Sequence, residues 1–165
     1  MPVTSDNLKF YGSQYMPNND TDINGGAIDL GKPLTGLIDE VFSGLYSDEP
    51  GGSPVVQYRK IFIRNESSSD LLEAKVWIDY DPLNQLKIAL EPVKNGTDTS
   101  SDRVTAPAGY EFVDAPNEEN ALPVPEGILG AGECIGVWLK VEIEPGIPPV
   151  DLVTARVKIK GKTTA

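Results

Sequence analysis

The feature that most constrains the fold is residues 57–80, QYRKIFIRNESSSDLLEAKVWIDY. Apolar and polar residues alternate on each side of a polar stretch at residues 65–70. A period of two is typical of a β-strand that buries one face. The aliphatic residues of this alternation are Ile61, Ile63, Ala74, Val76 and Ile78. Residues 57–80 therefore predict two strands joined by a polar turn.

The same period returns at residues 86–90, 134–144 and 152–160, and the longest of these runs predicts a buried face on one side only. The predicted core face of that run is Ile135, Val137, Leu139, Val141 and Ile143. The chain of 165 residues also contains 14 prolines and 16 glycines, which fall between short apolar runs. This pattern is typical of an all-β protein with many turns and indicates a β-sandwich.

The first third of the chain has a different composition. Residues 12–26 are mostly polar and predict an extended arm or a long loop. Residues 34–46 carry apolar side chains at helical spacing and predict one short helix, although Gly36 and Gly44 oppose it. We therefore divide the chain into an N-terminal arm and docking segment at 1–54 and a sandwich domain at 55–165. A chain without residues 1–30 is then expected to keep a folded sandwich.

The charge balance excludes several classes of partner. The formal net charge is −11, from 25 acidic and 14 basic residues. Nucleic acid and anionic membranes require clustered Lys and Arg, so we expect neither as a partner. Four basic residues alternate from Arg156 to Lys162 and predict a solvated strand face, or an ion-pair surface for an acidic neighbour. The N-terminal residues lack the pattern of a signal peptide, and we expect a protein made in a reducing cytoplasm.

The residues for catalysis are largely missing. The chain contains no histidine, which removes the usual general base and most zinc sites. The single cysteine, Cys134, cannot form an internal disulfide, and we interpret it as a small, partly buried residue. We therefore expect a protein that is not an enzyme and needs no cofactor.

One short motif suggests a metal. Asp20, Asp22 and Asn24 match the first half of a calcium-binding loop, in which oxygens at alternate positions converge on the ion. The twelfth position holds Gly31 instead of a glutamate. Asp20, Asp22 and Asn24 are therefore candidate calcium ligands, and the alternative is an Asx-rich turn.

Three large aromatic residues, Phe62, Trp77 and Trp138, lie on the mainly polar side of their predicted strands. Either the N-terminal arm or the segment at 110–124 covers them, or they join a protein–protein interface, where such residues are enriched. We predict an interface that combines these aromatics with apolar residues of the arm. Its candidate residues are Tyr15, Met16, Ile28, Leu30, Phe62, Trp77 and Trp138.

The segments YRKIFIRN, AKVWI, GAGECIGVWLKVEIEPG and GGAIDL together resemble Ig-like virion structural proteins of tailed bacteriophages. The resemblance implies an Ig-like β-sandwich with an extended N-terminal arm. It also implies a capsid decoration (cement) protein that stabilises the assembled head by binding between capsid subunits. Its partner would be the major capsid protein or another virion protein, and such proteins are often homo-oligomers, commonly trimers. The chain would be made in the bacterial host cytoplasm and would end in the virion.

Two alternatives stay open at this stage. One is a tail, collar or baseplate structural protein, which the resemblance does not separate from a head protein. The other is a carbohydrate-binding β-sandwich module, which would use Trp77 or Trp138 on an exposed sheet face to stack against a sugar.

Overall fold

The computed structural model describes residues 2–17, 19–35, 41–42, 52–81, 84–145 and 156–163. Among these residues, ten strands form two antiparallel sheets, and the helical turns are short 3-10 turns of three residues. The strands are β1 (Leu8–Tyr15), β2 (Asn24–Pro33), β3 (Val55–Asn65), β4 (Leu71–Tyr80), β5 (Leu86–Leu90), β6 (Thr99–Ser100), β7 (Leu122–Pro123), β8 (Ile128–Leu129), β9 (Cys134–Ile143) and β10 (Arg156–Thr163). The predicted all-β sandwich-like fold is confirmed. The predicted helix at 34–46 lies largely outside the described residues.

The larger sheet has the strand order β5-β9-β3-β1-β2-β6. Its central pair is antiparallel and continuous, from Val55 opposite Ile143 to Arg64 opposite Cys134. Because successive side chains of a strand alternate between faces, β3 and β9 turn their aliphatic residues to the same side. The buried residues of this inner face include Ile61, Ile63, Ile135, Val137 and Leu139. The alternation in the sequence thus locates the core side of β9 correctly.

The smaller sheet is built on β4, with the order β10-β4-β7 and with β8 as a further partner of β4. Ala74, Val76 and Ile78 of β4 are buried in one cluster with the inner face of the larger sheet. Strands β3 and β4 therefore belong to opposite sheets and do not pair with each other. The stretch at 65–70 carries the chain across the sandwich, instead of closing a hairpin.

This crossing is organised by Asn65, whose side chain is buried. Its Nδ2 donates to the carbonyls of Ser69 and Leu129 at 2.8 and 2.9 Å. Its Oδ1 accepts from the backbone N–H and the hydroxyl of Ser67 at 3.0 and 2.7 Å. Every polar group of the carboxamide is therefore paired, as burial requires. One side chain fixes both the shape of the corner and its contact with β8.

The N-terminal strands are part of the larger sheet. Strand β1 pairs with β3 from Leu8 opposite Asn65 to Gly12 opposite Ile61, and β2 pairs with β1 on the other side. Residues 12–26, for which the sequence predicts an arm or a loop, thus supply the end of β1 and the start of β2. Residues 12–26 do not show the apolar alternation of a strand, because residues 24–26 cover a buried ion pair and not an aliphatic face. The domain boundary at residue 54 stays a prediction.

This placement changes the expectation for the truncated chain. Deletion of residues 1–33 removes β1, which pairs with β3, and β2 beyond it, and uncovers the outer face of β3. We expect the truncated chain to lose its cooperative unfolding transition, because several large side chains, each worth about 1.5–3 kcal/mol when buried, become exposed. Thermal denaturation followed by circular dichroism measures this.

The matched control is Leu30→Ser in the full-length chain. Leu30 is 54% exposed, so this change should alter the free energy of unfolding by no more than about 0.5 kcal/mol. A truncated chain with the midpoint of the full-length protein would show that the hairpin is dispensable for folding.

Candidate functional site

The outer face of the larger sheet carries a second buried cluster, which we call the outer core. It consists of Lys60 and Phe62 of β3, Trp138 of β9, and Glu91, which directly follows β5. All four side chains are at most 1% exposed. Strands β3 and β9 are therefore buried on both faces.

At the centre of the outer core, the Lys60 ammonium has three hydrogen-bond acceptors. Its Nζ lies 2.6 Å from Glu91 Oε2, 2.9 Å from the Gly26 carbonyl oxygen and 3.1 Å from the Asp98 carbonyl oxygen. An ammonium group has three protons to donate, and each has an acceptor here. The Phe62 and Trp138 ring centroids lie 4.8 and 5.7 Å from the Nζ atom, in the range of cation–π attraction.

The carboxylate of Glu91 is tightly enclosed. Its Oε2 also accepts the Asp98 backbone N–H at 3.0 Å, whereas Oε1 has no hydrogen-bond partner among the described residues. A Cβ atom placed on Gly136 would lie 2.7 Å from this Oε1, and one placed on Gly96 would clash with the same atom. Glycine at both positions is therefore what gives the carboxylate its room.

The cover over the outer core comes from the same chain. Gly25 has φ +93°, and a Cβ there would lie 2.6 Å from Trp138 Cη2. The Tyr110 ring centroid is 6.0 Å from that of Trp138, and the Tyr110 hydroxyl donates to Asp98 Oδ2 at 2.6 Å. Both the N-terminal hairpin and the segment after β6 thus contribute to the cover.

Burial acts on the titratable groups of this region. It lowers the pKa of Lys60, while the hydrogen bond and the charge of Glu91 oppose that shift. Burial, together with the hydrogen bond to Asp98, strongly raises the pKa of Tyr110. All three ammonium protons of Lys60 are donated to fixed acceptors. The arrangement therefore holds together three segments of the chain: β3, the start of β2 and the segment from Glu91 to Asp98.

A second buried cation lies on the opposite face of β3. The Arg59 side chain donates to the Tyr58 carbonyl at 2.7 Å and to Gln57 Oε1 at 3.0 Å, and its guanidinium stacks over the Phe42 ring. Burial, with a smaller effect of the Arg103 charge, lowers the pKa of Arg59 to about 10. Arg59 therefore stays charged at neutral pH.

The predicted interface residues fall into two groups. Phe62, Trp77 and Trp138 are buried within the single chain, and Trp77 also lies under the Lys158 ammonium, 5.8 Å from its ring centroid. By contrast, the arm residues lie at the surface of the β1–β2 hairpin. Tyr15 and Leu30 are exposed, and Met16 and Ile28 are half-buried. The predicted interface role of these residues stays a prediction.

The candidate calcium ligands each have a different partner. Asp20 Oδ1 accepts from Arg103 Nε at 2.6 Å, and Asp22 accepts from the Asn19 carboxamide at 2.8 Å. Asn24 is fully buried and donates to the Tyr58 carbonyl at 2.9 Å. Within the described part of the chain, no group of three or more Asp, Glu, Cys or His side chains could hold a metal ion. Residues 19–22 form a bend and a turn that lead towards β2, and the calcium role of Asp20, Asp22 and Asn24 stays a prediction.

Three of the four alternating cations of β10 pair with carboxylates of the same chain, and the fourth, Lys158, lies over the Trp77 ring. Arg156 pairs with Asp79 at 3.1 Å, Lys160 with Glu118 at 3.0 Å and Lys162 with Glu73 at 2.9 Å. These side chains are exposed, and such surface pairs contribute little stability. Three of the β10 cations are thus neutralised within the chain.

Sequence reasoning missed Lys60 and Glu91 as a pair, because each resembles a solvated residue at a strand face or a strand end. The available signal was indirect. Three glycines, Gly25, Gly96 and Gly136, interrupt strand or turn segments, and each is in fact required by close packing in the outer core.

Comparisons of this chain with protein-family models, with curated proteins and with solved structures find no match. In the part of the chain that the structure describes, no helix has the length and apolar character needed to cross a membrane.

The buried ion pair predicts a large effect of a single substitution. Lys60→Met should lower the free energy of unfolding by about 3–5 kcal/mol, because it leaves the Glu91 carboxylate buried without its cation. The matched control, Lys162→Met, breaks an exposed pair and should cost less than about 1 kcal/mol. Urea denaturation measures both, and equal effects would contradict a structural role of the Lys60 pair.

The buried cysteine predicts low reactivity. Burial, with a smaller effect of the Glu91 charge, raises the pKa of Cys134 to about 11. The thiolate is the reactive form, so at pH 8 we expect an aromatic disulfide reagent to label folded protein at least about 100-fold more slowly than unfolded protein. Labelling in guanidinium chloride is the control. A folded-state rate equal to the unfolded rate would show that the site is open.

Proposed function

We propose that this chain is a virion structural protein of a tailed bacteriophage and that it acts as a capsid decoration protein. In this proposal it is made in the host cytoplasm, binds the assembled head and works as a homo-oligomer without catalysis. The proposal rests on the resemblance of YRKIFIRN, AKVWI, GAGECIGVWLKVEIEPG and GGAIDL to Ig-like virion proteins. One structural observation adds to it.

That observation is the apolar surface of the β1–β2 hairpin. Tyr15, Ile23 and Leu30 are 36%, 44% and 54% exposed. Tyr15 and Leu30 lie on strands of the larger sheet, through the pairing of β1 with both β2 and β3, and Ile23 directly precedes β2. A surface presented on fixed strands binds without first paying the entropy of ordering. This favours a hairpin that binds a partner as a preformed element.

The same structure disfavours the carbohydrate-binding alternative. A module of that class stacks a sugar on an exposed aromatic ring. Trp77 is 4% exposed and Trp138 is fully buried, so neither indole offers a free face in this arrangement. A tail, collar or baseplate position is compatible with the same hairpin surface and is separated from a head position by experiment.

The test is binding to particles of the parent phage. We expect the purified chain to co-sediment with assembled heads and the double variant Ile23→Asp, Leu30→Asp to lose at least 90% of this binding. The reason is that two buried apolar contacts, worth about 1.5–3 kcal/mol each, are replaced by carboxylates. The control, Val93→Asp, changes a residue that is 64% exposed but lies outside the hairpin, and it should bind normally.

Co-sedimentation with purified tails, and not with heads, would place the protein in the tail and reject the decoration role. Binding to neither would reject the virion proposal. Unchanged binding of the double variant, with circular dichroism showing a native fold, would reject the hairpin as the binding element.

A further inference from the structure

Two short paired segments in the cover of the outer core make few apolar contacts with the rest of the domain. Residues 24–26 of β2 and residues 98–100, which we together call the strap, pair with each other. Asn24 lies opposite Ser100, Gly25 lies opposite Thr99, and the Gly26 N–H donates to the Asp98 carbonyl at 2.9 Å. Within the described residues, the aliphatic cluster between the sheets includes none of the strap.

The strap is held mainly by polar contacts. Lys60 Nζ donates to the Gly26 and Asp98 carbonyls, one on each half of the strap, and Glu91 Oε2 accepts the Asp98 N–H. The Asn24 carboxamide donates to the Tyr58 carbonyl. Two of the strap residues that lie over the outer core are glycines, which bury no side chain. The Lys60 ammonium thus binds both halves of the strap to β3.

We propose that the strap opens as a unit, separately from the sandwich core, and that the Lys60–Glu91 pair is the latch that holds it closed. Segments with few buried apolar contacts open at a lower cost than the core to which they are attached. Opening of the strap uncovers the Trp138 indole, which Gly25 contacts, while the inner faces of β3 and β4 stay packed. The latch works in this way whatever partner the chain binds.

Native-state hydrogen exchange of the wild-type protein in low concentrations of urea tests this directly. The reporters of the strap are the Gly26 and Asp98 amides, and the reporters of the core are the Asn65 and Ile78 amides, which donate to Glu133 and Ala115 carbonyls. We expect the strap amides to exchange at least 100-fold faster and with a smaller dependence on urea, because a local opening exposes less surface than global unfolding. Equal rates and equal urea dependence at all four amides would overturn the proposal.

A variant then tests the latch. Glu91→Gln keeps the size of the side chain and removes its charge. We expect exchange at the strap amides to rise about 10- to 100-fold, as the loss of a charge-assisted hydrogen bond predicts. Global unfolding also breaks the pair, so exchange at the core amides should rise by no more than the same factor and stay at least about 100-fold slower than at the strap amides. Lys162→Met, which breaks an exposed ion pair, should change each of the four rates by less than about fivefold.

Strap and core amides that exchange at equal rates in Glu91→Gln would show that the strap opens only with the whole domain, and unchanged strap amides would show that the pair is not a latch. Either result would overturn the proposal. If the variant does not fold, the wild-type measurement still decides whether the strap opens separately.

Discussion

The outer face of the larger sheet depends on one buried ammonium group. Moving a charge out of water is costly, and the cost is offset here only because Lys60 has a carboxylate, two carbonyls and two aromatic rings around it. Each of these partners must hold its position. Gly96 and Gly136 leave room for the carboxylate, and Gly25 lets the chain pass close to Trp138. The ion pair thus contributes to the fold mainly by fixing the relative positions of three segments that are distant in sequence.

The domain has two buried layers of different chemistry on either side of β3 and β9. The inner layer is aliphatic and joins the two sheets, whereas the outer layer combines an ion pair with aromatic rings. This division explains why the N-terminal hairpin is polar and yet ordered in a sheet. It also leaves the apolar residues of the hairpin at the surface, where the proposed binding role requires them.

The sequence predicts the strands well and their partners poorly. Alternation located β3, β4, β5 and β9 because each buries an aliphatic face, and the same pattern cannot say which strands pair. For this reason β3 and β4 look like a hairpin in the sequence but lie in opposite sheets. The burial of Lys60 could not be predicted, since the alternating pattern of β3 is the same whether water or another chain segment covers its outer face. Its cover comes from residues that are 34 and 38 positions away.

The alternating cations of β10 have a consequence for the behaviour of the protein at high concentration. Among the strands that the structure describes, this one is the outermost member of the smaller sheet, and an edge strand is a template on which another chain can add. A second copy that paired along this edge would bring its own cations beside those of the first, and like charges on neighbouring strands are destabilising. The ladder from Arg156 to Lys162 thereby opposes aggregation through sheet extension, and it does so in a chain whose overall charge is strongly negative.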